Sequence, residues 1–224
     1  MALRLYTDHY PQIRGVLFDM DGLVLDTEKL YTRFWMEACQ FYGFPMTRDQ
    51  ALQMRAANAK LSQEKLHSFF GPTADYRKCR AKRIELMDAF IAVHGVETKP
   101  GIRELLDALA ARGIPAAITS SAPKDRIEAH LASVGLLHRF TAICSGHDVP
   151  NGKPAPDIYL HGAACLGLPA DSCLALEDSP TGILAAHRAG CVTVMVPDLD
   201  QPGRETEKLL FAKADSLKDI ISLI

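Results

Sequence analysis

The chain has 224 residues, 48% of them hydrophobic and 23% charged, with a formal net charge of -2. That usage is ordinary for a folded globular chain, so disorder is not the default. Lys and Arg are scattered rather than blocked, so neither nucleic acid nor an anionic membrane is an expected partner, while a small anion in a locally positive pocket stays possible.

Ile13 to Phe18 is a short apolar run that stops at Asp19-Met20-Asp21-Gly22. Its length and its Gly-containing stop predict a buried strand. From Thr27 to about His94 the rhythm turns helical. Helices are expected over Thr27 to Tyr42, Gln50 to Ala57, Ser62 to Phe70 and Ala74 to Val93, with Gly43, Pro45 and Gly71-Pro72 as breaks and Thr47 as a cap. Beyond Gly95 strands and helices alternate. Strands are expected at 114–119, 140–144, 173–176 and 192–196, with helices at 101–111, 124–134, 156–166 and 181–189. Apolar strands with helical returns imply a parallel sheet covered on both faces. The expected architecture is therefore α/β, with residues 1–25 and 95–224 forming one discontinuous domain and 26–94 an all-helical insertion hinged near Leu25-Asp26 and Gly95-Pro100.

Such sheets bind ligands beyond the carboxyl ends of their strands. The residues there are Asp19 and Asp21, Thr119 with Ser120, and Glu177-Asp178. Parallel pairing would bring these acids together, and clustered carboxylates repel. A divalent cation resolves that conflict, and an oxygen-only ligand set favours Mg2+. The sequence has neither a Gly-x-Ser-x-Gly elbow nor a Walker loop. A strand-end carboxylate can itself attack phosphorus, and a second one, two residues on, can serve as acid and base. Thr119 and Ser120 precede a helix start, a natural place to hold phosphate. Lys153, stiffened by Pro154 and Pro156, can offset the anionic charge.

In this order the motifs resemble the haloacid dehalogenase superfamily: Asp19-Met20-Asp21-Gly22-Leu23, then Thr119, then Gly152-Lys153-Pro154-Ala155-Pro156-Asp157, then Glu177-Asp178-Ser179-Pro180-Thr181-Gly182. The resemblance implies a Rossmann-like core with a helical cap. It also implies Asp19 as nucleophile, Asp21 as acid/base and Thr119, Ser120 and Lys153 as phosphate holders. Asp19, Asp21 (through its backbone carbonyl), Glu177 and Asp178 become the magnesium ligands, Glu177 directly or through water. An acid at position 21 implies phosphoryl transfer rather than carbon–halogen cleavage. The runs 21–28 and 194–198 are similar to the branch containing pseudouridine-5'-phosphatases and beta-phosphoglucomutases. The mutases carry a histidine where this chain has Tyr31 and a cap arginine that Met54-Arg55-Ala56-Ala57-Asn58 does not clearly supply. Hydrolysis of a small phosphorylated metabolite is thus expected ahead of mutase activity, and a non-catalytic phosphate-binding module comes last.

Other residues carry weaker expectations. Phe34, Trp35 and Phe41 read as one apolar stripe, and Arg55, Lys60, Arg80 and His147 as surface groups. The six cysteines form no C-x-x-C pair and the eight histidines no H-x-H or H-x-x-x-H pair, so buried thiols and no zinc site are expected. No run approaches about 18 apolar residues and no signal peptide is visible. A cytoplasmic monomer is the default.

Overall fold

A computed structural model of the chain describes residues 3–7, 10–54, 59–199 and 201–224; Arg55 and the stretch to Asn58 lie outside them. The elements in chain order are β1 (Leu3–Leu5), β2 (Gly15–Phe18), α1 (Glu28–Phe41), α2 (Arg48–Gln53), α3 (Ala59–Phe70), α4 (Tyr76–His94), α5 (Ile102–Ala111), β3 (Ala116–Ser120), α6 (Lys124–Ser133), β4 (Ala142–Ser145), α7 (Asp157–Cys165), β5 (Cys173–Glu177), α8 (Pro180–Arg188), β6 (Val192–Met195), α9 (Arg204–Glu207) and β7 (Ala212–Ala214). A 3-10 segment, Leu217–Leu223, follows.

The strands form one sheet in the order β1-β7-β6-β5-β2-β3-β4. Pairing is parallel from β4 through β7, and β1 closes the edge antiparallel to β7. The order places β2 between β5 and β3, so the chain ends at Asp19, Ser120 and Glu177 emerge side by side. Alternation along the strands sorts the core. Val16, Phe18, Ile118, Leu174 and Leu176 join α5, α6 and the Leu217–Leu223 segment on one face. Leu17, Ala117, Cys173 and Ala175 join α7 and α8 on the other. Period-2 strands buried on both sides leave no polar face, which is why their sequences run apolar throughout.

The contacts divide the chain into two compact units, Met1–Asp26 with Val96–Ile224, and Thr27–Gly95. Within the first, the segments that lead out and back run side by side. Leu25 bridges Thr98, the Asp26 N–H donates to the Glu97 carbonyl at 2.8 Å and the Lys99 N–H to the Val24 carbonyl at 2.9 Å.

Among its described residues the second unit consists of helices joined by turns and loops, with no strand. A capping box of Thr47 and Gln50 starts α2, and the Asp75 carboxylate accepts from the Arg77 and Lys78 N–H groups to start α4. Trp35, Cys39, Met46, Leu66 and Cys79 form its core. Trp35 stacks on Tyr76 with centroids 5.8 Å apart, and Phe34 lies 5.5 Å from Phe90. Buried Arg83 sits 4.3 Å over the Tyr31 ring and 5.3 Å from that of Trp35. The expected apolar stripe on α1 is shorter than its sequence: Phe34 and Trp35 are buried, while Phe41 is exposed, edge-on to Tyr42 with Lys82 Nζ over it. Among the described residues no helix is long and apolar enough to cross a membrane.

Candidate active site

Asp19 is the first residue beyond β2, and its N–H donates to the Leu176 carbonyl of β5 at 3.0 Å. That bond extends the β2–β5 ladder by one residue and sets the Asp19 carboxylate beside Glu177 and Asp178. Asp19, Glu177 and Asp178 each offer an oxygen within 4.8 Å of the others. Lys153 joins two of them: its Nζ donates to Asp19 Oδ1 and to Glu177 Oε1, both at 2.6 Å. The Lys153 side chain is 8% exposed, and those of Asp19 and Glu177 13% and 1%. Ion pairs this dry are close to obligatory partners, because removing one member strands a buried charge.

Glu177 is held from every side. Oε1 also accepts from the Tyr159 hydroxyl at 2.6 Å, and Oε2 accepts from the Ser179 hydroxyl at 3.0 Å and the Ser179 N–H at 3.3 Å. Ser179 also caps α8, accepting from the Gly182 N–H at 3.1 Å. Gly182 is the residue that makes room. A Cβ there would lie 1.8 to 2.2 Å from three atoms of the Glu177 carboxyl group. Tyr159 carries no signal as a site residue in the sequence, where it reads as one apolar position of a helix. Its role comes from α7 lying across the sheet, with the Lys153 ammonium 5.0 Å from its ring centroid.

Burial pushes the Asp19 carboxyl up to about 7. Lys153 opposes that shift, and the charges of Glu177 and Asp21 add to it. Lys153 itself is held well above its ordinary value by Asp19 and Glu177, which outweigh its own desolvation. Acidic groups thus outnumber the one ammonium, and without a metal the repulsion is relieved by a proton held on Asp19. An all-oxygen donor set with surplus charge suits a hard dication such as magnesium rather than a thiophilic one. The donors of Asp19 and Asp178 fit such an ion. The oxygens of Glu177 are already engaged by Lys153, Tyr159 and Ser179.

Of the remaining sequence candidates, Asp21, Thr119 and Ser120 lie at or just beyond the ends of β2 and β3. Asp21 lies in the turn after β2, half-buried, with Gly22 at φ 83° and its N–H donating to the Leu25 carbonyl. Thr119 is fully buried at the end of β3, and its hydroxyl donates to the Phe18 carbonyl at 3.1 Å, one residue before Asp19. Ser120 Oγ accepts from the Ala122 N–H at 3.1 Å, shaping the loop that follows. Thr119 and Ser120 therefore frame the cluster through backbone contacts. Lys60, Arg80 and His147 are exposed.

Residues 16–196 match the family model described as haloacid dehalogenase-like hydrolase. A Drosophila melanogaster protein that bears the name "Probable pseudouridine-5'-phosphatase" is 34% identical over 196 residues, covering 84% of this chain and 83% of that one. Hexitol phosphatase B of Escherichia coli K12 is 28% identical, covering 93% and 95%. Among solved structures, a mutant CbbY from Rhodobacter sphaeroides in complex with xylulose-(1,5)bisphosphate superposes with a TM-score of 0.76 at 22% identity, covering 93% of this chain and 96% of that one.

Proposed function

The chain belongs to the haloacid dehalogenase-like hydrolase family, and from that membership we propose that it is a magnesium-dependent phosphatase acting on a small phosphomonoester through an aspartyl-phosphate on Asp19. The observation that carries the reading is the Lys153 ammonium, 2.6 Å from Asp19 Oδ1 and 2.6 Å from Glu177 Oε1 at the shared strand ends. A carboxylate kept in place this way is oriented for attack, and the same ammonium offsets the charge of an arriving phosphate.

In the first step an Asp19 oxygen attacks phosphorus, and the bond from phosphorus to the substrate oxygen breaks. Asp21 gives its proton to that departing oxygen. In the second step water attacks phosphorus, Asp21 takes its proton, phosphate leaves and Asp19 is regenerated. Magnesium, when bound by Asp19, Asp178 and the Asp21 backbone carbonyl, screens the repulsion between carboxylate and phosphate dianion. Glu177 acts on the metal at most through water, because Tyr159 and Ser179 fix it as the anchor of Lys153. Thr119 and Ser120 line the phosphate side. The helical unit Thr27–Gly95 serves as the cap that excludes water from the intermediate.

The relatives' names point to the substrate class: a phosphatase of pseudouridine phosphate and one of hexitol phosphates both align over most of this chain. A sugar phosphate or a nucleoside monophosphate is therefore the substrate sought. Tyr31 stands where the mutases carry a histidine, which favours release to water over transfer to a second sugar hydroxyl. The test is a panel of phosphorylated sugars, polyols and nucleosides, assayed for inorganic phosphate with magnesium and with chelator. We expect metal-dependent release from at least one of them, and a loss of at least about 10³-fold in Asp19→Asn. Near-normal turnover by Asp19→Asn would sink the mechanism. Conversion of a hexose 1-phosphate to its 6-phosphate without phosphate release would replace hydrolysis with the mutase reaction.

A further inference from the structure

On the side of the sheet covered by α7, three donors meet that are distinct from the carboxylate cluster. His161 and Cys165 lie one helical turn apart on α7, with Cys165 Sγ 3.7 Å from His161 Nε2. Cys144, fully buried on β4, completes the group, and one donor atom from each residue lies within 4.8 Å of the other two. We propose that Cys144, His161 and Cys165 form a binding site for a zinc-class, thiophilic divalent cation.

The geometry supports it quantitatively. Tetrahedral zinc with a Zn–S bond of about 2.3 Å and a Zn–N bond of about 2.1 Å requires sulfur and nitrogen about 3.6 Å apart. The Cys165–His161 pair stands at 3.7 Å. The two residues are spaced i, i+4, which places both donors on one face of the helix. The fold brings that face down onto β4. Cys144 of β4 packs in one cluster with Ile158, Tyr159 and Ala163 of α7, and Gly162 lets the helix lie close on the neighbouring strands, where a Cβ would sit 2.7 Å from Thr119 Cγ2 of β3 and 3.2 Å from Leu17 of β2.

Exposure is graded across the three. Cys144 is buried, His161 is half-buried and Cys165 is open to solvent, so an ion has a route in and water can complete its fourth position. Two thiols and an imidazole select zinc or cadmium over magnesium, so this site and the carboxylate cluster take different metals. Binding forms two metal–sulfur bonds and one metal–nitrogen bond and releases the two thiol protons to solvent, and no electron moves. The ion pins the last turn of α7 to β4. This inference does not depend on the phosphatase reading. In sequence its trace is His-x-x-x-Cys, which a search for paired histidines or paired C-x-x-C cysteines passes over.

The experiment titrates the reduced full chain, stripped with chelator and held in saturating magnesium, with cadmium. The readouts are the ultraviolet thiolate-to-cadmium charge-transfer band and the number of ions bound in native mass spectrometry. We expect one cadmium per chain, displaced by zinc, and a rise in melting temperature with either ion. Cys165→Ser should weaken binding at least about tenfold, and the pair His161→Ala with Cys165→Ala should abolish the band. Both positions are solvent-reachable, and circular dichroism checks that the variants fold. The proposal is overturned if the wild-type chain shows no band. It is also overturned if the band survives the double substitution, which would assign the ion to other thiols such as Cys39 and Cys79.

Discussion

The two units of the chain each bury a cation, and they treat it differently. In the α/β unit the Lys153 ammonium is clamped between Asp19 and Glu177, and the carboxylates outnumber it. In the helical unit the Arg83 guanidinium lies over the rings of Tyr31 and Trp35. A carboxylate clamp is expensive to desolvate and strong once made, and it holds charge in surplus for a ligand to answer. An aromatic clamp desolvates less and serves mainly to pack. The buried cation of the first unit is thus set among acidic groups that outnumber it, whereas that of the second lies against two aromatic rings.

Lys153→Met breaks that contrast most severely. It leaves Asp19 and Glu177 buried without their counter-ion, and should cost about 3–5 kcal/mol in metal-free protein. Magnesium supplies a replacement positive charge, so chemical denaturation with magnesium should show a clearly smaller deficit. An equal deficit in both conditions would mean that no metal shares this charge.

The acidity of Asp19 sharpens the same point. Its folded carboxyl titrates at about 7 against an ordinary value near 3.8. Between those values the folded metal-free chain holds a proton that the unfolded chain has released. The resulting stability is complete below about pH 4 and is lost as pH rises toward and through 7. Melting curves in chelator should fall across that window by this contribution. Asp19→Asn should remove it, and so should magnesium, which favours the ionised form. A metal-free slope identical in wild type and Asp19→Asn would show that Asp19 is not the group that holds the proton.

Gly182→Ala acts on the anchor rather than the charge. The new Cβ would fall inside the Glu177 carboxyl group, which Lys153, Tyr159 and Ser179 hold in place. Either Glu177 swings away and gives up those bonds, or the start of α8 shifts. The cost should be about 1–3 kcal/mol by denaturation, with turnover falling because Lys153 loses one of its two supports. Wild-type turnover in this variant would show that Glu177 does not position Lys153.

How far the sequence could be read follows the same division. The strand-end acids were legible because each follows an apolar run that stops abruptly, and parallel pairing then places such stops on one edge. Lys153 was legible through its proline-stiffened loop. Tyr159 was not, since its hydroxyl meets Glu177 only when α7 crosses the sheet, a contact between residues 18 positions apart. The edge strands β1 and β7 were equally silent. Leu3–Leu5 and Ala212–Ala214 are three residues each, too short to display alternation, and they exist as strands by pairing with each other and with β6. In the helical unit the periodicity marked which segments are helices, but not that Arg83 would be buried, because a lone arginine in a charged helix reads as a solvated one.

Arg83→Met is the mildest change and the one that separates the two kinds of clamp. It preserves much of the side chain's length and apolar stem while removing the guanidinium from the faces of Tyr31 and Trp35. A desolvated cation over aromatic rings is worth about 1–2 kcal/mol, and a thioether against the same rings recovers part of it. The ring contacts alone should therefore account for at most about 2 kcal/mol of the loss in chemical denaturation. That loss should also be the same with magnesium and with chelator, because Asp19 and Asp178, the carboxylates proposed to hold the metal, belong to the other unit. If the Arg83→Met deficit instead shrank on adding magnesium, the helical unit would share in the metal's electrostatics. The distinction between a unit that stores charge and one that only packs it would then fail.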